Sequence, residues 1–359
     1  MATGGGQWIE NRLQQPRGGG NLGNIKRYDR NAAVVARGTG HSQQQHNNAV
    51  NAQPPNNQAT TATTATTTTT INWQRLLVRF NFIMAVFHSC LAIVTLSLAN
   101  LNLEIPLFFS DVSVLVLING TYVTPPPNFT VSSDTPFRLD PYYRRGGTTN
   151  ITLLTASVFL IAAFFHILNA TILRTFYIRN LQLCFTPTRW IEYSISAPIM
   201  FFLISYSVGV RDRATLVSVS ALVGLTMFFG LWVEVQSRPS AAAFTRDIWG
   251  STRMQRLYPF ILGCIPQTIA WVIVIVQFYG YSWGSINPPG FVYAILWGEL
   301  ILFTSFAAVL VGVQLSPPSK FYKGEIAYQS LSLVSKGVLG LILIVNVLML
   351  SDFDELYNK

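Results

Sequence analysis

From about residue 75 onward, long apolar runs alternate with polar joints. Seven of these runs, at about 76–99, 151–175, 188–210, 214–236, 258–280, 290–314 and 326–350, have the roughly 20 residues needed to cross a hydrocarbon core. Most of the joints are short. The pattern predicts an all-α membrane protein, a seven-transmembrane helix bundle occupying residues 75–351, with a short tail at 352–359.

The one long joint, between the first and second spans, has a different period. It contains VSVLVLINGTYVT, two β-rich runs flanking Asn119-Gly120. Asn-Gly suits a type I′ turn, which needs positive φ at both central residues. The reading is a β-hairpin in that loop. Three glycosylation sequons, at Asn119, Asn128 and Asn150, place the loop on the outer side of the membrane.

Upstream of residue 75 the texture changes again. GGGQWIENRLQQPRGGGNLGN, HSQQQHNNAVNAQPPNNQ and TTATTATTTTT have no apolar period, so residues 1–74 read as a disordered, low-complexity cytoplasmic arm. The arm has no apolar signal-peptide core, which leaves insertion to the first span. His41 and His46 are too isolated to suggest a metal.

Composition supports the membrane reading. Only 11% of residues are charged and mean hydropathy is +0.37, whereas a soluble domain carries about 25% charged residues. The net charge of +9 raises the question of nucleic acid, but most basic residues flank the apolar spans, so no nucleic-acid partner is expected. By the positive-inside rule, the inner edges hold Arg75, Arg79, Arg174, Arg179, Arg189, Arg238, Arg246, Arg253, Arg256, Lys320 and Lys323. The orientation is N-terminus cytoplasmic, C-terminus extracellular. Cys90, Cys184 and Cys264 lack paired spacing and read as packing residues.

Few ionisable residues fall inside the spans, and each needs a partner. A charge at the bilayer centre costs at least ~2.5–3.5 kcal/mol. The candidates are Lys336 in the seventh span, Glu192 in the third, Glu299 in the sixth, and His88 and His166 in the first two. Glu234 lies at the inner end of the fourth span and reads as reaching the interface. Lys336 lies about ten residues into its span, roughly 15 Å, and its side chain leans back toward the helix N-terminus. Glu192 lies roughly 8 Å in if Pro187 opens its helix. The two charged ends therefore match in depth. Such a pair can simply lock two helices, or it can be a dry lysine of the kind that condenses with an aldehyde, beside a carboxylate that keeps the product protonated.

The sequence resembles the heliorhodopsins, an inverted branch of the microbial rhodopsins. The resemblance is carried by AVFH (85–88), FFHIL (164–168), RWIEYSIS (189–196), PGFVY (289–293), TSFA (304–307) and GEIAYQSLSLVSK (324–336). It implies a photoreceptor, not an enzyme, with all-trans-retinal bound covalently to Lys336 as a Schiff base. It further implies Glu192 as counterion, Ser332 hydrogen-bonding near the nitrogen, and His88 and His166 in a proton-holding cavity. Tyr193, Trp271 and Phe303 would line the retinal pocket. A homodimer in the plasma membrane and a cytoplasmic signalling partner are also implied.

Two positions depart from the family pattern. Glu299 stands where small or apolar residues are usual, which suggests a stepping stone for protons and a light-gated proton conductance. Leu91, three residues after His88, makes the inner cavity less hydrophilic. A different class remains open at this point: a transporter or receptor with no chromophore, using the Lys336/Glu192 pair for a substrate or for structure.

Overall fold

The computed structural model describes residues 58–125, 127–128, 130, 134–237, 257–280 and 287–349, with the side chains of the first helix from Trp73 onward. The first 57 residues, the tail at 352–359, and Arg238, Arg246, Arg253 and Arg256 lie outside the described residues. Eight α-helices are described: α1 (Gln58–Leu98), α2 (Ile151–Ala170), α3 (Arg174–Gln182), α4 (Pro187–Ser207), α5 (Arg213–Ser237), α6 (Tyr258–Gly280), α7 (Gly290–Leu315) and α8 (Phe321–Leu343). A short 3-10 turn, Pro318–Lys320, precedes α8, and a π turn, Ile344–Leu348, closes it.

Among the described residues, six helical stretches are long and apolar enough to cross a membrane: Trp73–Leu98, Ile151–Ala170, Arg213–Ser237, Tyr258–Gly280, Gly290–Leu315 and Pro318–Leu348. The chain is an integral, multi-pass membrane protein. The third expected span is helical as α4 but is not one of the six, because Arg189, Glu192 and several hydroxyl residues interrupt its apolar run. The second span also differs from expectation. It stops at Ala170, where the Thr171 N–H closes back on Ile167 and Leu168, and α3 follows as a separate short helix.

The first helix begins upstream of the boundary expected at residue 75. Its threonine-rich turns, expected to be disordered, continue directly into the apolar part. Once a helix exists, each added residue fixes one more hydrogen bond, so the modest penalty for threonine is tolerated.

The loop after α1 is a three-stranded antiparallel sheet in the order β2-β1-β3, formed by β1 (Glu104–Ile118), β2 (Thr121–Val123) and β3 (Phe137–Asn150). Asn119 and Gly120 join β1 to β2 with φ of 53° and 79°. The longer pairing is between β1 and β3, running from Glu104↔Asn150 to Val116↔Phe137. That pairing is non-local, and no local turn signal announces it.

Asn150 has a role other than the glycan acceptor its sequon suggests. It is the N-cap of α2: its Oδ1 accepts from the Leu153 N–H at 2.8 Å and its Nδ2 donates to the Leu101 carbonyl at 2.5 Å. The nitrogen a sugar would need is already engaged. Asn119 and Asn128 are exposed.

Asp212 ties the sheet to the helices. It accepts from the Ser110 N–H of β1 at 3.0 Å and from the Thr215 N–H in the first turn of α5 at 2.7 Å. Partial burial raises its carboxyl, but the Thr215 and Ser110 hydrogen bonds outweigh this and leave it below the usual carboxylate range.

In the bundle, α1 packs on α2, α2 on α4, α4 on α5 and α5 on α6, while α8 packs on α7 and α1. One apolar core joins β1 to α4, α5, α6, α7 and α8 through Ile105, Phe201, Ile204, Val219, Val274, Ile295 and Leu343. Helix α6 packs on α5, whereas α8 packs on α7 and α1.

Candidate functional site

Lys336 is buried, as is Glu192. Its ammonium donates to Glu192 Oε1 at 2.5 Å and to Ser332 Oγ, one turn earlier on α8, at 2.9 Å. The Ser196 hydroxyl, one turn after Glu192 on α4, donates to the same Oε1 at 2.8 Å. The lysine side chain therefore does lean toward the N-terminus of α8. Desolvating two charges costs several kcal/mol each, and the short contact with its added hydroxyl partners is what offsets that cost.

Glu192 borders a small cavity, while Lys336, with Ser332 and Ser196, lines a separate, larger one of about 440 Å³ between α4, α5, α6, α7 and α8. Its volume falls in the range of sites that enclose a small organic ligand, roughly 300–1,000 Å³. Tyr193, Trp271 and Phe303 are among the residues that line it. Trp271 meets Phe303 edge-on at 5.7 Å and Phe201 edge-on at 5.0 Å. Tyr193 donates to the Tyr328 carbonyl at 3.1 Å and presents its ring 5.3 Å from the Lys336 ammonium. Gly230 is required here, because a Cβ at that position would lie 2.1 Å from the Trp190 ring. An apolar, aromatic cavity lined by one amine suits a long hydrophobic aldehyde.

Glu299 is buried, and its Oε2 accepts from Ser335 Oγ at 2.8 Å while Oε1 has no partner. The Lys336 ammonium sits at Ser332, whereas Glu299 sits at Ser335, three residues or roughly 4.5 Å further along α8. The two acidic groups thus flank the lysine at different depths.

His88 and His166 are buried with their rings 5.4 Å apart. His88 Nδ1 bonds the Met84 carbonyl at 2.8 Å, and its Nε2 has no partner. His166 Nδ1 bonds Asn81 Oδ1 at 2.8 Å. A cavity of about 20 Å³, room for one water, lies among Asn81, His166, Arg189, Glu192 and Glu325. Leu91 packs at Gly337, 3.9 Å from where a Cβ would stand, so α1 presents an apolar side chain to α8 there.

Two sequence expectations change here. Arg189 is not an edge charge and Glu234 does not reach an interface: both are buried, and Arg189 bridges Glu234 on α5 and Glu325 on α8. Glu234 also accepts from the Thr186 N–H at 3.0 Å, and Glu325 from the Thr186 hydroxyl at 3.1 Å. The Arg189 guanidinium lies 4.0 Å from the Tyr328 ring centroid. Position along a helix gives depth but not direction, and these groups face inward. The signal lies in α8: Glu325, Tyr328, Gln329, Ser332 and Lys336 recur at helical spacing and form one polar stripe.

The family model described as heliorhodopsin matches residues 77–348. A search of curated proteins finds no match.

Proposed function

The chain belongs to the heliorhodopsin family, which implies a retinal chromophore, and from that premise we propose that it is a light receptor in which Lys336 carries all-trans-retinal and Glu192 is the counterion. The observation that carries this reading is the 2.5 Å contact with Glu192 made by Lys336, the lysine that lines the apolar cavity. Retinal supplies light absorption and isomerisation, joined to Nζ by a condensation of its aldehyde that expels water. The chain supplies everything else.

Glu192 balances a positive charge at Nζ. Ser332 and Ser196 fix the geometry of that pair. Tyr193, Trp271 and Phe303 hold the polyene and exclude water from it. A proton on Nζ that loses contact with Glu192 has two directions to take. On one side lie the water-sized cavity and His166 with His88, which would hold it. On the other lies Glu299 through Ser335, and a carboxyl there lets protons pass under light. The reading is of a light-gated proton conductance rather than a strict pump, in a seven-crossing bundle in which α4 is the third crossing, added to the six apolar stretches. The N-terminus faces the cytoplasm, the C-terminus and the sheet face outward, and homodimers in the plasma membrane relay the change to a cytoplasmic signalling partner.

Glu192→Gln tests the counterion assignment. Removing a negative charge beside the nitrogen lowers the excitation energy, so the protonated pigment shifts to the red. The shift is on the order of a few kcal/mol, the scale of the attraction between close unit charges at an effective dielectric of about 20. A band that stays in place contradicts the assignment.

Glu299→Gln tests the conductance. In retinal-supplied cells under illumination, the proton current should fall by about an order of magnitude or more, the scale on which a positioned acid or base acts. An undiminished current removes Glu299 from the route, and a coloured protein with no current leaves signalling alone.

A further inference from the structure

The wall that α6 gives the main cavity is not purely apolar. It is formed by α6 packed on α5, whereas Lys336 belongs to α8, which packs on α7 and α1. On α6, Gln267 and Trp271 both line the cavity, and they stand four residues apart, hence on one helix face. Gln267 Oε1 is a buried acceptor with no partner, and Trp271 Nε1 is a buried donor with no partner. Thr226, across from them on α5, lines the same cavity; its hydroxyl hydrogen is engaged by the Leu222 carbonyl at 3.0 Å. An acceptor and a donor left unsatisfied one turn apart are costly, and each needs a partner.

A single hydroxyl satisfies both, donating to Gln267 and accepting from the Trp271 indole. We infer that the cavity is built for a retinal whose ring carries a hydroxyl group, recognised by Gln267 and Trp271 at the end remote from Lys336. The inference rests on the chromophore reading above and specifies its ligand. A keto oxygen fits less well, because it has no hydrogen to give the orphan acceptor. A trapped water bridging the two atoms is the rival occupant, and it predicts no preference among retinoids.

The test offers the chromophore-free protein an equimolar mixture of all-trans-retinal and all-trans-3-hydroxyretinal. The bound retinoid is then extracted and quantified by chromatography. The hydroxylated form should be enriched about five- to tenfold, the net worth of one buried hydrogen bond. Gln267→Leu should bring the ratio toward one. Trp271→Phe, which keeps an aromatic ring in place, should reduce it independently should the first variant fail to fold. Equal uptake, or a preference for plain retinal, overturns the inference while leaving the chromophore reading intact. Uptake of neither retinoid, with no visible band from either alone, overturns both.

Discussion

Arg189→Gln should unfold on the order of 10 °C below the wild type in detergent, corresponding to a loss of about 3–5 kcal/mol. The reason lies in what remains. Arg189 is the cation between two buried carboxylates, Glu234 and Glu325, and a glutamine leaves both acids in the interior facing a neutral amide. Removing one partner of a buried ion pair is far more damaging than replacing the whole set. The triple variant Arg189→Met, Glu234→Gln, Glu325→Gln should therefore recover much of the loss, although it has three substitutions instead of one. The guanidinium also stacks on Tyr328, whose backbone carbonyl holds the Tyr193 hydroxyl, so part of the cost passes into the cavity wall. Thermal unfolding followed by fluorescence or dichroism reads both variants. A single variant as stable as wild type would show that the triad does not hold α4, α5 and α8 together.

The parts of this arrangement that can be read from the sequence are those governed by one helix at a time. Depth along a helix follows from counting residues, which is why Lys336 and Glu192 could be matched across two spans before any coordinates. Ser332 comes from the family resemblance, and its place one turn before Lys336 is consistent with helical spacing. The direction each side chain faces does not follow from counting, and there the reading of Arg189 and Glu234 as edge charges went astray: the residues that receive them come from α4, α5 and α8, distant in sequence. The polar stripe from Glu325 to Lys336 held that information, but its period had to be weighed against the flanking basic residues. The same division runs through the sheet. Asn119-Gly120 is a local turn signal, whereas β3 carries Pro141, Gly146 and Gly147 and earns its place only by pairing with β1. At Asn150 one short motif has two physical uses, and the start of α2 decides for the cap.

Lys336→Ala is the other large effect. The lysine is the sole amine lining the cavity among the described residues, so its loss removes the only covalent anchor there for an aldehyde. It also leaves Glu192 buried with the Ser196 hydroxyl but without a cation. The variant should therefore be both colourless and less stable by several kcal/mol. Lys336→Ala with Glu192→Gln separates the two effects: it should recover stability and remain colourless.

The most direct measurement is the absorption spectrum of the purified protein, supplied with all-trans-retinal, beside that of Lys336→Ala. A visible band in the wild type that is absent from the variant is the expected result, and it gives the lysine its reason for being in the membrane. A folded, retinal-supplied wild type with no visible band, or a variant that keeps the band, would contradict the account and return the Lys336–Glu192 contact to the role of an ion pair in a protein without a chromophore.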